Sequence, residues 1–305
     1  MVYCIGETVL DVIFRNDQVI AAKPGGSMLN TAVSLGRAGI PVEFISEIAS
    51  DQPGELIVTF LHENNVGTHY LSRYADGKTT IALAFLDNKS DAKYSFYSDL
   101  PDERLKDQLP LSDKDDIILF GSFFSLEDEI HKKLIGFLSI ALENKAVILY
   151  DPNFRSPHLA DLPEVFPHIR ENFNLADVIR GSHEDFLHIF ALAEAEDVHL
   201  RLRLQDRQGL VYTRSGDSVC IFTSRINLSV PVPEIEPVST IGAGDSFNAG
   251  LIFALTKMHI DKVRMVNLSS EEWTKIASLA IRFSQNVCMS LENYISKDLL
   301  LTLEI

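Results

Sequence analysis

Short apolar runs alternate with longer amphipathic segments along most of this 305-residue chain. The runs are rich in β-branched and aromatic residues, which is typical of strands that are covered on both faces. We predict strands at Val2 to Ile5, Val42 to Ile48, Ile117 to Phe120, Ala146 to Tyr150, Asp177 to Ile179 and Leu210 to Thr213. The pattern therefore favours a mainly parallel sheet flanked by helices.

The segments between these strands carry apolar residues at helical spacing. In Glu271 to Leu291, residues such as Trp273 and Ile276 share one face, and Ser269 with Glu272 forms a candidate capping box. Further helices are predicted at Met28 to Ala38, Glu55 to Asn64, Glu127 to Asn144 and Gly244 to Leu255. This alternation of strands and helices predicts an α/β fold, a three-layer α/β/α sandwich with a mainly parallel central sheet.

Two segments break the alternation. Val12 to Ala22 contains the turn signal Asn16-Asp17 between apolar runs, and Thr79 to Leu86 with Tyr94 to Tyr97 flanks the polar stretch DNKSDAK. Both are typical of hairpins. We expect them to form a small antiparallel sheet, built from about residues 12–23 and 68–98, that stands off the main domain as a lid. No repeat or Pro-, Gly- or Ser-rich linker divides the chain, so one domain of residues 1–305 is expected.

Charge narrows the range of partners. The hydrophobic share of 46% and the charged share of 23% are ordinary for a soluble globular protein. A formal net charge of -16 at pH 7 would repel nucleic acid and an anionic membrane surface, so neither is an expected partner. An anionic substrate would need a local cluster of positive charge or of backbone N–H groups.

The cysteines and the N-terminal sequence indicate the compartment. Cys4, Cys220 and Cys288 lie among apolar residues without metal-ligand spacing, so buried free thiols are expected. The chain starts without a basic segment and cleavage site, and no apolar run approaches the roughly 20 residues that span a bilayer. We therefore expect a cytoplasmic protein.

The stretch from Pro237 to Leu251, PVSTIGAGDSFNAGL, carries the clearest chemical signal. Gly242, Ala243 and Gly244 precede Asp245 where an apolar helix begins, and small residues let backbone N–H groups converge at a helix N-terminus. Such an end suits phosphate oxygens and the charge that develops during phosphoryl transfer. Asp245 can then accept the proton of an attacking hydroxyl. On spacing alone, an ordinary turn with Asp245 as a helix cap is an equally good interpretation.

This stretch resembles the C-terminal signature of the ribokinase-like (PfkB) carbohydrate kinases, usually written D-T-x-G-A-G-D. GAGDSF, preceded by Ser239 and Thr240, matches it in all but the first position. The resemblance implies that Asp245 is the catalytic base and that the Gly242-Ala243-Gly244 amides form an anion hole. It covers essentially the whole chain.

Two N-terminal motifs extend the resemblance to the acceptor sugar. GETVLDV contains Asp11, which is similar to the sugar-hydroxyl-binding Asp of the family. Gly25, Gly26 and Asn30 in PGGSMLNTAVSLGRAG match the family's Gly-Gly-x-x-x-Asn element. Physically, the glycines let a ligand approach the backbone, and Asn30 offers both donors and an acceptor to hydroxyls. Taken alone, the glycine pair is more typical of a loop.

A third motif follows an apolar strand, whose carboxyl end is where open α/β sheets bind ligands. YDPNFR, at 150–155, resembles the DPN-[LF]-R segment of fructokinase-like and 2-keto-3-deoxygluconate kinase-like members. Arg155 could hold a substrate carboxylate or a transferring phosphate with its planar charged fork. The alternative is a surface ion pair with Asp151 or a neighbour.

The chain departs from the family pattern at two places that concern cations. Ser239 stands where the signature has Asp, which makes activation by a monovalent cation such as potassium doubtful. Ser182 and Asp185 occupy the places of the Asn-x-x-Glu element that orders water around magnesium, with Glu184 adjacent. A carboxylate is kept, so Mg²⁺ bound through water by Asp185 and Glu184 is still expected.

The nucleotide side is matched less completely. Thr213-Arg214-Ser215 replaces the family's Thr-x-Gly element, which changes the loop but keeps its backbone donors. Asn286 falls where the family lines its adenine pocket, although a solvent-facing Asn is an equally good interpretation. The resemblance thus implies ATP bound near Thr213, Ser215 and Asn286.

These motifs together predict an ATP-dependent kinase that phosphorylates a hydroxymethyl group of a small sugar. Fructose or a related ketose is favoured, because SDAKYSFYSDLPDERL with DPNFR is similar to bacterial fructokinase-like members. Keto-deoxygluconate kinases tend to place an additional Arg where this chain has Ser98. Keto-deoxygluconate, ribose and nucleosides remain alternatives.

Other classes of protein match the sequence less well. There is no GxxxxGK[ST] P-loop, and Gly6 is followed by Glu7-Thr8 instead of the G-x-G-x-x-G turn of a dehydrogenase. A non-catalytic sugar or nucleotide sensor on the same fold is the alternative of a different class. A homodimer is expected, since many ribokinase-like proteins pair through their lid sheets and an exposed sheet edge invites a partner.

Overall fold

Two β-sheets organise the protein, whose computed structural model describes residues 1–86 and 92–303. The strands are Val2–Ile5 (β1), Val9–Arg15 (β2), Gln18–Gly25 (β3), Val42–Ala49 (β4), Val66–Gly67 (β5), Leu71–Tyr74 (β6), Lys78–Leu86 (β7), Ala92–Asp99 (β8), Ile117–Gly121 (β9), Val147–Asp151 (β10), Val178–Ser182 (β11), Gly209–Arg214 (β12), Ser218–Phe222 (β13) and Asn227–Pro231 (β14). The α-helices are Ser27–Arg37 (α1), Gln52–Glu63 (α2), Asp128–Glu143 (α3), Leu162–Leu175 (α4), His183–Phe190 (α5), Ala195–Leu202 (α6), Ala243–Lys257 (α7), Lys262–Met265 (α8) and Ser270–Cys288 (α9). Short 3₁₀ helices occur at Phe123–Leu126, Ser156–His158 and Leu299–Thr302.

The larger sheet runs in the order β14-β13-β12-β11-β10-β9-β1-β4-β5, with β6 also beside β4. Strands from β12 across to β4 are parallel, whereas β13 and β14 add an antiparallel edge. Val2 lies opposite Val42 on one side and Ile117 on the other, and all are buried as the apolar runs predict. Because parallel strands end at one edge, the loops that follow them meet there.

Helices cover both faces of this sheet, which confirms the predicted three-layer sandwich. One core cluster packs α1, α7 and α9 on the sheet through side chains such as Phe253 and Trp273. The other packs α3 to α6 on the opposite face through side chains such as Leu134 and Phe186. Helix α7 packs between α1 and α9 and is buried along most of its length.

The capping box predicted before α9 is present. The Glu272 amide donates to Ser269 Oγ at 3.2 Å, and the Ser269 amide donates to Glu272 Oε2 at 2.9 Å. This reciprocal pair satisfies two amides that the first turn of a helix leaves without partners, which explains why α9 begins there.

The predicted elements do not include β5, β6, β13, β14, α4, α5, α6 or α8. Helices α5 and α6 have 8 residues each, so they offer few repeats of the helical spacing. Helix α4 contains Pro167, which ordinarily argues against a helix interior. Strand β14 lies at the sheet edge with mostly exposed or half-exposed residues, so it lacks a continuous apolar pattern.

The smaller sheet forms the predicted lid from two antiparallel hairpins, in the order β3-β2-β7-β8. Asn16 and Asp17 form the first turn with φ of 49° and 60°, the left-handed conformations that suit the twist of a tight hairpin. The hairpins join through β2 and β7, which are parallel neighbours. The rings of Phe14 and Phe85 stack across this pair with centroids 4.7 Å apart.

The lid boundaries differ from the predicted 12–23 and 68–98. Strand β6 pairs with β4 of the larger sheet, so 71–74 belongs to the main body and not to the lid. Its Leu71 and Tyr74 are buried, which explains why this segment stays on the body. Residues 87–91, most of the predicted polar turn DNKSDAK, lie outside the described residues.

Two further predictions concern the core and the membrane. Cys4, Cys220 and Cys288 are buried free thiols, as expected. Across the described part of the chain, every helix is too short or too polar to cross a bilayer.

Candidate active site

The first turns of α1 and α7 meet at the carboxyl edge of the larger sheet, and Asp245 lies between them. Its side chain is 8% exposed. Ser27 Oγ donates to Asp245 Oδ1 at 2.6 Å, and Asn30 Nδ2 donates to Oδ2 at 2.8 Å. Thr31 Oγ1 also donates to the Asp245 carbonyl at 2.9 Å. Helix α1 therefore holds both the side chain and the backbone of this residue.

The surroundings of Asp245 shift the pKa of its carboxyl group in opposite directions. Burial is the largest effect and raises the pKa of its carboxyl group, while the hydrogen bonds from Ser27 and Asn30 and the charge of Arg155 lower it. The charge of Asp151 adds to the upward shift. A carboxyl group whose pKa moves up toward neutral becomes a stronger acceptor of protons.

The small residues before Asp245 form the start of α7. Gly242 is the N-cap, with φ of 78°, and a side chain there would collide with the backbone oxygen of Asn293. Within the described residues, the Gly244 and Asp245 amides have no hydrogen-bond acceptor, and Asp245 does not cap its own helix. The interpretation of Asp245 as a simple cap is thus contradicted, and the free amides offer donors to an anion.

The predicted acceptor-side residues surround the start of α1. Gly26 is its N-cap, with φ of 129°, and a side chain on Gly25 would collide with the Asp11 carboxylate. Asp11 lies half-buried on β2, and burial raises the pKa of its carboxyl group to about 6, against the opposing charge of Lys23. The buried Oδ1 of Asn30 accepts no hydrogen bond from the residues that the structure describes. The predicted residues therefore leave hydrogen-bonding capacity beside Asp245.

A buried network under α7 was not found by motif matching. Asp151, at the end of β10, is 1% exposed, and its Oδ2 accepts from Arg180 Nη1 at 2.8 Å and from Asn248 Nδ2 at 2.6 Å. Arg180 Nη2 donates to Thr213 Oγ1 at 3.1 Å. A Cβ on Gly244 would lie 3.0 Å from Arg180 Nη1, so this guanidinium lies against the start of α7. The network places the Arg180 guanidinium, ion-paired with Asp151, beside the free amides.

The sequence did carry a signal for Arg180. It is the one charged residue of VIRGS, the strand β11, and a buried charge requires a partner. That partner, Asp151, was instead considered for Arg155. Arg155 is exposed and forms no ion pair with any described residue, so the predicted alternative of a pair with Asp151 is wrong.

The residues predicted for the nucleotide side take different roles. Thr213 is buried at the end of β12, beside Arg180. Ser215 lies in the β12–β13 turn with φ of 47°, the left-handed conformation that the missing glycine would adopt readily. Asn286 is half-buried, and its Oδ1 accepts from the Ser296 amide at 2.8 Å, so its side chain shapes the segment after α9.

An exposed apolar rim lies next to the free amides. We define it as Val238, Ile241, Met289 and Leu291, each more than half exposed. The Val238 amide donates to the Cys288 carbonyl at 2.8 Å, which joins the loop before α7 to the end of α9. An apolar surface beside anion-binding donors is a suitable seat for a nucleotide base.

The two carboxylates predicted for magnesium differ in availability. Asp185 Oδ1 accepts from the Phe154 amide at 2.8 Å, and Oδ2 accepts from the amide and hydroxyl of Ser182 at 2.7 Å and 2.6 Å. The bond from the Ser182 amide is part of the capping box of α5, and together the three bonds leave little capacity for an ion. Glu184 is exposed, and the described residues contain no cluster of three metal-ligating side chains. Asp185 and Glu184 therefore fit a magnesium ion that is held mainly by substrate and water.

Known proteins resemble this chain along nearly its whole length. The profile described as "pfkB family carbohydrate kinase" matches residues 1–285. A fructokinase of Rhizobium leguminosarum bv. trifolii is 28% identical over 280 residues, which cover 89% of this chain and 85% of the relative.

Two solved structures have a similar fold. The fructokinase with bound ATP from Xylella fastidiosa superposes with a TM-score of 0.82 at 20% identity, covering 98% of this chain and 97% of the other. The aminoimidazole riboside kinase from Salmonella enterica, complexed with aminoimidazole riboside and an ATP analog, gives 0.82 at 19% identity, covering 97% and 96%. The ribokinase-like architecture predicted from the sequence is therefore confirmed.

Proposed function

This chain belongs to the pfkB family of carbohydrate kinases, and we propose that it transfers the γ-phosphoryl group of ATP to a hydroxymethyl group of fructose or a related ketose. That it is a sugar kinase follows from the family. The observation that carries the finer proposal is the buried Asp245 carboxylate, which lies beside free amides at the start of α7 and is bonded to the element predicted to hold the sugar.

The acceptor sugar lies between the lid and the first turn of α1 in this proposal. Asp11 accepts hydrogen bonds from sugar hydroxyls, and the unpartnered Asn30 Oδ1 accepts another. Gly25 and Gly26 contact the ring through their backbone, and the space where their side chains would lie is filled by the Asp11 carboxylate and the Glu7 carbonyl oxygen. The terminal hydroxyl then points at Asp245, which accepts its proton as the oxygen attacks phosphorus.

Charge on the transferring phosphoryl group is neutralised from two directions. The Gly244 and Asp245 amides, with the partial positive charge of the α7 N-terminus, serve as the anion hole. Of the other two predicted residues, Gly242 caps the helix, and the Ala243 amide donates to the Thr240 carbonyl at 3.2 Å, so Ala243 shapes the turn instead of donating to the anion. The Arg180 guanidinium, ion-paired with Asp151, lies behind them, and the exposed Arg155 is free to reach phosphate or sugar. These groups supply the local positive charge that a protein of net charge -16 needs to bind ATP.

ATP extends from these amides along the apolar rim in this proposal. The backbone near Thr213 and Ser215 contacts the nucleotide, and the base packs on the rim. Asn286 contributes indirectly, because its amide is engaged with Ser296. Lid and body act as one catalytic unit, since closure of the lid would exclude the water that competes with the sugar for phosphoryl transfer.

Magnesium, when bound, would neutralise charge on the phosphates. We propose that it is held by the ATP phosphates and by water, with Glu184 as the available protein carboxylate and Asp185 as the residue that fixes the loop. Ser239 Oγ accepts from the Ile241 amide at 3.2 Å and brings no charge, which supports the expectation that potassium is not required.

The preference for a ketose is supported by the fructokinase relative and by the lid. Ser98, where keto-deoxygluconate kinases tend to carry an additional arginine, is exposed on β8 and shares a hydrogen bond with Thr80 at 2.9 Å. A neutral lid residue there favours a neutral sugar over a sugar acid. The neighbour solved with aminoimidazole riboside keeps ribosides as the second candidate class.

A screen of ADP release tests the activity and the substrate together. We expect ADP formation with ATP, Mg²⁺ and fructose to exceed that with keto-deoxygluconate, ribose or nucleosides, and each product to carry one phosphate by mass spectrometry. ADP release with another acceptor alone would overturn the ketose proposal. Sugar binding without ATP consumption would instead identify a non-catalytic sensor.

The activity should fall in mild acid. Asp11 and Asp245 act as proton-free carboxylates, and burial raises the pKa of both, that of Asp11 to about 6. Because protonation removes their function, kcat/KM for the sugar should decline as the pH falls through about 6, as measured between pH 5 and 8. Asp11→Asn should shift the midpoint, and an unchanged midpoint would mean that Asp11 does not contribute to the decline.

We further propose a homodimer that forms through the lid. Val19, Ile20, Phe85 and Tyr97 are exposed apolar side chains on the lid strands. Such side chains on a sheet with open edges suit a second copy of the same surface. Sedimentation of the purified protein should give a dimer of the 34.1 kDa chain, and a monomer at micromolar concentration would contradict the proposal.

A further inference from the structure

Lys23 connects the lid to the main body. It lies on β3 directly opposite Asp11 on β2, so the two side chains project from the same face of the lid. Lys23 Nζ donates to the Leu291 carbonyl at 3.2 Å. This hydrogen bond joins positions 268 residues apart in the chain, and it shows that the Asp11 face of the lid is turned toward the body.

The acceptor of this hydrogen bond belongs to a segment that is fixed to the body. We call residues 289–295 the C-terminal loop. Its Ile295 carbonyl accepts from Arg37 Nη1 at 2.8 Å, and its Ile295 amide donates to Ser34 Oγ at 3.3 Å, so the loop is bonded to α1. Its Asn293 backbone packs against Gly242, the N-cap of α7. Lys23 therefore reaches the same loop that supports the start of the anion hole.

Lys23 also acts on its neighbour on the lid. Burial raises the pKa of Asp11, and Lys23 is the charged group that opposes this rise. The same ammonium group thus stabilises the charged form of Asp11 and bonds to the body. Opening the lid would break the hydrogen bond to Leu291 and move the whole Asp11–Lys23 pair away from Asp245.

We propose that Lys23 is a positioning residue that fastens the lid to the C-terminal loop and thereby couples the Asp11 side of the acceptor site to the amides at the start of α7. The proposal rests on the proposed function, because it assigns the lid to acceptor binding. It implies that the sugar site and the phosphoryl site are complete only when the lid is closed. An open lid would admit water beside ATP.

Replacement of Lys23 separates this role from a structural one. Lys23→Met keeps the length of the aliphatic stem but removes the hydrogen bond and the charge. We expect KM for the sugar to rise about tenfold, the effect of losing one hydrogen bond to a charged group. The ratio of sugar-independent ATP hydrolysis to sugar phosphorylation should also rise, and the acid limb of kcat/KM should move to higher pH because Asp11 loses a positive neighbour.

Two further variants serve as controls. Lys23→Arg keeps the charge and the donors, so it should restore the acid limb and most of the coupling. Lys93→Met removes an exposed lysine from β8 of the same lid and should behave as the wild type. If Lys23→Met matches Lys93→Met in KM, ATP hydrolysis and pH profile, the proposal is overturned.

Hydrogen exchange tests whether Lys23 fastens the lid to the C-terminal loop, without relying on activity. In the protein without substrates, Lys23→Met should speed the exchange of amides in β2, β3 and the C-terminal loop, while Lys93→Met should not. Unchanged exchange in Lys23→Met would overturn the proposal that Lys23 fastens the lid, even if KM for the sugar rose. Direct contact between Lys23 and the sugar would then explain the rise in KM. A wild type without sugar kinase activity would sink the proposed function, and the exchange result would still decide whether Lys23 fastens the lid.

Discussion

Asp245→Asn is expected to lower kcat by about 10²- to 10⁴-fold, the usual contribution of a positioned general base. Asparagine keeps the shape of the side chain and an oxygen that can accept from Ser27 or Asn30, but it cannot take a proton from the sugar. KM for ATP and for the sugar should therefore change little. Initial rates of ADP release at saturating ATP measure the effect.

The same substitution gives an independent check on folding. Because burial disfavours the charged form of Asp245, the neutral amide should leave the thermal unfolding midpoint unchanged or higher. Glu271→Gln removes an exposed carboxylate from the first turn of α9 and serves as a matched control with normal turnover. Near-normal kcat in Asp245→Asn would rule out its role as the base.

Arg180→Met is expected to cost about 3–5 kcal/mol of unfolding free energy, the typical effect of leaving a buried charge without its partner. Asp151 is 1% exposed and, among the residues that the structure describes, would keep only the Asn248 side chain and the Asn153 amide as donors. The start of α7 would also lose the guanidinium that lies against Gly244, so phosphoryl transfer should fall as well. Urea unfolding at pH 7 measures the stability change.

A half-exposed arginine on the next strand provides the comparison. Arg214 pairs with Glu194 at 2.6 Å, and the side chains are 31% and 63% exposed, so Arg214→Met should cost no more than about 1 kcal/mol. Adding Asp151→Asn to Arg180→Met should recover part of the lost stability, because the unpaired charge is then removed. Equal losses in Arg180→Met and Arg214→Met would contradict the buried network.

The structure resolves an ambiguity about Asp245 that its spacing leaves open. The sequence indicates an acid after small residues at the start of a helix, which leaves a simple cap as an equal alternative. The structure removes that alternative, because the partners of the carboxylate are Ser27 and Asn30, more than 200 residues earlier in the chain. No local spacing could reveal a contact between two helices so far apart.

Asp185 and Arg180 show that the place of a residue in a motif does not fix its role. Asp185 occupies the place of a family metal-site residue, yet its oxygens accept from Phe154 and Ser182 and hold the start of α5. Arg180 matches no element of the motifs considered, yet it is a buried charged residue that lies against the start of α7. Position in a motif gives a residue type, whereas only the neighbouring donors and acceptors decide which role it performs.

The sequence by itself determined the layers of the fold and indicated the carbohydrate-kinase family. Apolar runs and helical spacing depend on local burial, so they predicted the parallel sheet and its helices, while GAGD, the glycine pair and Asn30 indicated phosphoryl transfer to a hydroxyl. The edge strand β14 and the short helices α5 and α6 have weak sequence patterns and were not predicted.

Only the tertiary structure decided which side chains share a space. It paired Asp151 with Arg180 instead of Arg155, left the Gly244 and Asp245 amides free, and brought Lys23 of the lid to the C-terminal loop. Burial and hydrogen-bond partners set the charge state of a group and its freedom to bind a ligand. These properties arise from contacts between segments distant in the chain, and such contacts leave no periodic trace in the sequence.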